Sequence, residues 1–287
     1  MPPILTLRDG TLAETLAGLQ SRVRNEPADA KHRIFLFELL SVLGQWDRAL
    51  TQLNLAGELS AASLGMVQVY RQALSCEVLR AEVFAGKRSP LVFGRPEQWV
   101  ALLVEALKLS ADGKHTQAVE LRGTALADAA ATSGQIRQGT PETPPLAFEW
   151  IADADSRLGP VLEAIVNGRY FWIPFSNIRA VQIDAPADLR DLVWMPAQFQ
   201  WSNGGEAVGL IPTRYPGSES SEEDAIRLAR KTDWVEESTE AFAGLGQRML
   251  ATETGEYALL DIRRLELDAA TGAQDATAAA DAAPLHG

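Results

Sequence analysis

The sequence is poor in the residues that build cross-links and metal centres. A single cysteine, Cys76, excludes an internal disulfide and, among apolar residues at helical spacing, reads as a small buried side chain. The three histidines, His32, His115 and His286, have no second His or Cys at ligand spacing, so no zinc site is expected. Only His286, at the extreme tail, falls in the second half, which disfavours a Ser-His-Asp triad there. No phosphate-binding loop occurs, and Gly244-Leu245-Gly246 lacks the strand–turn–helix setting of a dinucleotide fingerprint. Basic residues are in deficit: 26 Lys+Arg against 38 Asp+Glu give a formal charge of −12, the wrong sign for nucleic-acid phosphates. No run approaches the roughly 18 apolar residues that span a bilayer. The opening M-P-P-I-L-T-L-R-D-G lacks the basic-then-apolar order of a secretory signal. The expected setting is the cytoplasm, with no cofactor, nucleic acid or membrane insertion.

What is present divides in two. Residues 1–139 carry 15 Lys+Arg and 14 Asp+Glu, a balance of +1, whereas 140–287 carry 11 and 24, a balance of −13. At roughly 100–200 residues per domain, two units are expected, each long enough to bury its own core. In the first, Leu12, Leu16, Leu19 and Val23 recur at helical spacing and Pro27 ends the run. Five further helices are predicted: around Ile34–Leu43, Trp46–Leu53, Val67-Leu74-Val78-Ala81, Trp99–Leu107 and Ala118–Leu126. Gly10, Gly44 and Gly113 each precede a helix, 34 and then 69 residues apart, and five residues after each stands Thr15, Ala49 or Ala118. About 34 residues is the tetratricopeptide period. Pro27, twelve after Thr15, matches that pattern too; the other two repeats lack the proline, so the array is degenerate. Such units stack and present a groove to a peptide or helix.

After 134–145, a Gly-, Pro- and Thr-rich stretch read as a linker, the apolar period changes. Val161–Val166, Asn167-Gly168, Arg169–Phe175 reads as a hairpin, because both residues of a tight turn need positive φ. Leu192–Trp201 with Asn203-Gly204 and Glu206–Ile211 repeats it, as does Gln247–Thr252 with Thr254-Gly255 and Glu256–Ile262. Ile178–Ile183 is a further strand, and Ser221–Lys231 is the one clear helix, capped by Ser220 or Ser221 with acids at its positive end. The expected fold is α+β: a tetratricopeptide-like helical domain over 1–133, the linker over 134–145, and a mainly antiparallel β domain with a few short helices over 146–268. The Ala-rich tail 269–287 is expected to be disordered.

Three polar stretches could carry chemistry. In Asp153-Ala154-Asp155-Ser156-Arg157, with Glu163 further on, paired carboxylates could bind Mg²⁺ or move protons. On a strand Arg157 would share their face, which favours a salt-bridged cluster. Asp188-Leu189-Arg190-Asp191 has the same mixed character. Pro212–Gly217 sets Arg214 beside Tyr215, either to bind a carboxylate or peptide backbone, or as a rigid turn whose arginine neutralises nearby acids. No catalytic or metal-binding residue is expected; Asp153, Asp155, Arg157, Asp188, Arg190, Asp191, Arg214 and Tyr215 are candidates for partner contact or structure. A metal-assisted hydrolase using Asp153 and Asp155, and a dimerising scaffold, are the alternatives.

Longer motifs point to a family. G-T-L-A-E-T-L, L-L-S-V-L-G-Q-W-D-R-A-L-T-Q-L, F-E-W-I-A-D-A-D-S-R-L-G-P-V-L-E, D-L-R-D-L-V-W, P-T-R-Y-P-G-S and G-L-G-Q-R-M-L cover roughly residues 4–267. Together they resemble the ImpE/TagJ (SciE-type) accessory proteins of bacterial type VI secretion systems. The resemblance implies a cytoplasmic, non-catalytic protein that associates with a helical segment near the N-terminus of the small contractile-sheath subunit. It also implies a link to sheath assembly or to recycling by the sheath-disassembling AAA+ ATPase. It assigns no catalytic residue.

Overall fold

A computed structural model describes residues 11–95, 97–238 and 241–268. All six helices predicted for the first half are present. Helix α1 (Leu12–Asn25) starts on a capping box in which Thr11 and Glu14 satisfy each other's backbone N–H. Helix α2 (Ala30–Val42) starts on Asp29, whose Oδ1 accepts from the Lys31 N–H at 2.7 Å. Next come α3 (Trp46–Leu59), α4 (Leu64–Phe84), α5 (Gln98–Ala111) and α6 (His115–Asp128).

The repeat glycines have a common mechanical role. Gly44 (φ 66°) ends α2 and Gly113 (φ 75°) ends α5, each in the left-handed region that an L side chain resists. The same pair of bonds closes both turns: Gly44 N–H to Ser41 O at 3.1 Å and Gln45 N–H to Leu40 O at 2.9 Å, then Gly113 to Ser110 at 3.0 Å and Lys114 to Leu109 at 2.8 Å. The following helices fold back, α3 on α2 and α6 on α5, with Ala49 and Ala118 fully buried. The interval between the two turns does not hold a complete third hairpin. Helix α4 ends in the same kind of turn at Gly86 (φ 71°), but the chain then enters strand β1 (Leu91–Val92). Three helices, α3, α4 and α5, and one short strand therefore fill the 69 residues that spacing alone reads as two repeats. Gly10 lies outside the described residues.

The second half forms β2 (Gly134–Gln138), β3 (Leu146–Phe148), β4 (Ala152–Asp153), β5 (Val161–Val166), β6 (Arg169–Pro174), β7 (Ile178–Ile183), β8 (Trp194–Trp201) and β9 (Glu206–Pro212). After the short helix α7 (Asp224–Arg227) follow β10 (Thr232–Ser238), β11 (Ala241–Gly246), β12 (Met249–Thr252), β13 (Gly255–Ala258) and β14 (Ile262–Leu267). The main sheet has the order β1-β6-β5-β9-β8-β7-β14-β2-β3, antiparallel except where β1 joins β6. A three-stranded sheet β13-β12-β4 and a ribbon β10-β11 complete it. All three predicted hairpins are present, β5-β6 turning through Asn167 (φ 50°) and Gly168 (φ 71°) as expected.

Three expectations need correction. The segment 134–145 is not simply a linker: Gly134–Gln138 is a strand paired with β14 on one side and β3 on the other. Its apolar Ile136 is buried, which a Gly- and Gln-rich composition conceals. The helix expected over 221–231 is a single turn, because Ala229 turns into the left-handed region (φ 52°) and Thr232 already begins β10. The two halves do not bury separate cores. One cluster unites Phe37, Leu53, Tyr70 and Leu103 of the helices with Ile165, Trp172, Trp194 and Leu210 of the sheet. A second lies on the opposite side of the strands, where Met195, Phe199 and Trp201 meet Leu250 of β12 and Tyr257 of β13. The tail 269–287 lies outside the described residues.

Candidate functional site

Strand β5 is buried along its whole length, and in its middle stands Glu163, fully enclosed. A carboxylate there requires cations. Arg80 of α4 grips it with two parallel bonds, Nε to Oε1 at 2.7 Å and Nη2 to Oε2 at 2.9 Å. Arg248, between β11 and β12, donates to it from the other side, and so does the Tyr170 hydroxyl, which accepts from Trp172 Nε1 at 2.8 Å. Burial would raise the Glu163 pKa, but the guanidinium groups of Arg80 and Arg248 hold it at about 2.

The network spreads through these two arginines. Arg248 also pairs with Asp153 and donates through Nε to the Pro212 carbonyl at 3.0 Å. The Tyr215 hydroxyl lies 3.0 Å from Asp153 Oδ1 and accepts from the Met249 N–H at 3.0 Å. For Asp153 burial prevails over Arg248, and its pKa rises to about 6. Arg80 reaches the Arg214 carbonyl at 2.8 Å and Glu77 at 3.4 Å, while Glu77 accepts from Trp194 Nε1 at 2.9 Å. Burial raises the Glu77 pKa against the pull of Arg80. One interlocked set thus ties α4 to β4, β5, β6, β8 and the loop after β9.

The other predicted residues are placed around this set. Asp155 is clasped by Arg157, Nε to Oδ1 at 2.9 Å and Nη2 to Oδ2 at 2.5 Å, and accepts from the Gly244 N–H at 2.9 Å. The salt-bridged cluster expected from the sequence is present, but with a division of partners: Arg157 takes Asp155, and Arg248 takes Asp153. Arg190 joins Asp188 and, at 2.6 Å, Glu38 of α2. Asp191 instead accepts from the Ala187 and Asp188 N–H groups at 2.8 and 2.9 Å and caps the turn 189–192. Arg214 does not neutralise an acid through a contact. It donates to the carbonyls of Val42 at 2.8 Å, Arg227 at 2.5 Å and Ser41 at 3.3 Å, tying down the end of α2. Burial lowers its pKa to about 10. The eight candidates therefore fall into two groups, one on the Glu163 network and one at the junction of α2 with 188–191.

Sequence reading missed Arg80, Glu77 and Arg248. The buried face of α4 runs through Val67, Tyr70, Leu74, Glu77, Arg80 and Val83. A purely apolar pattern selects Val78 and Ala81 instead, and both prove exposed. The signal was two opposite charges three residues apart where an apolar face should continue. Also unforeseen is that Glu26 and Asp29 gather about His32, their oxygens 3.5 and 3.6 Å from Nδ1. This group is part-exposed, and Asp29 is already engaged as the cap of α2.

Chemically, the network is closed. Its acids are held by arginines, its tyrosines have pKa values raised by burial and by Glu163 or Asp153, and its members are buried. Three surface cavities of about 350–370 Å³ lie elsewhere. One is on the sheet face of Gln182, Gln198 and Arg264. One is between Val69 of α4 and Val208 of β9. One is among Val23, Arg24, Leu36 and Arg48 of α1–α3. What the network can do is fix the helical layer on the sheet.

Comparison with known proteins gives concordant results. The model of the family described as "ImpE protein" matches residues 146–266. The type VI secretion system accessory component TagJ of Pseudomonas aeruginosa is 49% identical over 262 residues, covering 91% of this chain and 89% of the relative. The crystal structure of protein VPA1032 from Vibrio parahaemolyticus superposes with a TM-score of 0.80 at 26% identity, covering 93% of this chain and 97% of that one.

Proposed function

The chain belongs to the ImpE/TagJ family of type VI secretion accessory proteins, and from that premise we propose that it is a non-catalytic cytoplasmic adaptor. It holds the helical segment near the N-terminus of the small contractile-sheath subunit. It thereby serves sheath assembly, or recycling by the sheath-disassembling AAA+ ATPase. The observation that carries the reading is the likeness, over nine-tenths of the chain, to a protein named as an accessory component. The internal geometry fits it: the signature acids Asp153 and Asp155 spend their charge on Arg248 and Arg157 inside the molecule. A hydrolase built on them would need to break both pairs to admit a metal ion, at several kcal/mol each. No helix among the described residues is long and apolar enough to cross a membrane.

The test is co-purification of the full chain with the small sheath subunit, intact and lacking its N-terminal helical segment. Stable association with the intact subunit and its loss with the shortened one are expected. Failure of both to associate sinks the adaptor reading.

A further inference from the structure

The ribbon β10-β11 brings exposed apolar side chains together with acids that outnumber their cations. Its register sets Trp234 opposite Gly244 and Glu236 opposite Phe242, so Trp234, Glu236 and Phe242 share one face. The base of that face is anchored: the Trp234 ring lies 5.7 Å from that of Tyr215. Gly244 lies so close that a Cβ there would stand 2.3 Å from the Tyr215 ring. Beyond this anchor Phe242 is left 46% exposed and Trp234 37% exposed. A two-stranded ribbon is marginal in water by itself and gains from covering such a face.

Charge says what would cover it. Residues 219–246 contain eight acids and three cations. Two of those cations are already engaged, Lys231 with Glu223 at 2.9 Å and Asp233 at 3.2 Å, and Arg227 with Asp224 at 3.4 Å. From Thr232 to Gly246 there is no Lys or Arg at all. Helix α7, with the acid-rich 219–223 just before it, packs against β11.

Resting on the adaptor reading, we propose that this face of the ribbon is where the protein partner docks, through a cationic amphipathic segment. The segment's apolar side lies on Phe242 and Trp234, and its Lys or Arg side chains face Glu236. Opposite charge speeds the encounter and the apolar contact holds the complex, so binding weakens with salt without vanishing.

The experiment is titration calorimetry of the full chain with the small sheath subunit at low and high salt, comparing the parent with Phe242→Ser, Glu236→Lys and Val208→Ser. Val208 is 72% exposed on β9, a strand of the main sheet and not of the ribbon, and serves as a surface control. Phe242→Ser should weaken binding by roughly tenfold or more, as loss of a central aromatic anchor does. Glu236→Lys should weaken it several-fold and flatten the salt dependence, and Val208→Ser should change nothing. Circular dichroism and the urea midpoint report folding; if Phe242→Ser fails to fold, Glu236→Lys decides alone. Parent-like binding by the ribbon variants overturns the ribbon assignment and leaves the adaptor reading standing. Absence of binding by the parent removes both. A dimer of this chain that dissociates on Phe242→Ser would give the face to a second copy and also overturn the assignment.

Discussion

At the scale of single residues, Arg248 has the most to hold. It is fully buried and is the only described side chain that pairs with both Asp153 and Glu163. Its ring-face contact with Tyr215, 5.3 Å from guanidinium to centroid, fixes it further. Buried ion pairs add little net stability over apolar packing, but removing one partner strands the other's charge. Replacing Arg248 by Met leaves Asp153 with only the Tyr215 hydroxyl and a backbone N–H, and Glu163 with Arg80 and Tyr170. Arg248→Met should therefore cost about 3–5 kcal/mol in urea unfolding. A loss below about 1 kcal/mol would mean that Arg80 and the tyrosines suffice.

At the scale of elements, the junction of α2 with the turn 189–192 carries a pH dependence. Glu38 is buried on α2 and bonded to Arg190, yet its withdrawal from water outweighs that partner and raises its pKa from 4.5 to about 7. The folded state thus binds a proton that the unfolded chain releases near the ordinary value. The stability this supplies is complete below about pH 4.5 and is lost as pH rises through about 7, an effect of about 2–3 kcal/mol between pH 5 and 8. Glu38→Gln should lose that much less stability than the parent over the same interval. Parallel profiles for the two proteins would show that Glu38 stays ionised throughout. Asp153, also raised, acts in the same sense in both proteins and drops out of the comparison. Elements of this kind were legible in the sequence where local physics decides: glycines at positive φ ended α2 and α5, and Asn167-Gly168 made a hairpin. They were illegible where tertiary contact decides. Strand β2 is recruited by pairing with β14, far away in the chain. Glu77 and Arg80 lie on a buried face only because Trp194 and Glu163 come to meet them. The motif around Asp153 marked the site, but nothing local could name Arg248 as its partner, 95 residues on.

At the scale of the whole molecule, the helices and the sheet are one body. Trp194 of β8 lies 5.8 Å from Tyr70 of α4 and 6.0 Å from Trp46 of α3, and Trp172 of β6 lies 6.1 Å from Phe84 of α4. The core holding these rings draws on both halves, and the Glu163 network crosses the same boundary. The charge balance that splits at residue 139 therefore does not mark a boundary between two cores. The helical hairpins are therefore held on the main sheet at a fixed mutual geometry. Unfolding should then be a single event: helical circular dichroism and tryptophan fluorescence should share one urea midpoint. Trp194→Ala removes ring contacts from both sides of the boundary and takes from Glu77 Oε1 its indole donor, leaving that carboxylate to Arg80. It should move both signals together by about 3–5 kcal/mol. A helical signal that kept its midpoint while fluorescence shifted would make the helical layer an independent unit, and the rigid coupling would fail with it.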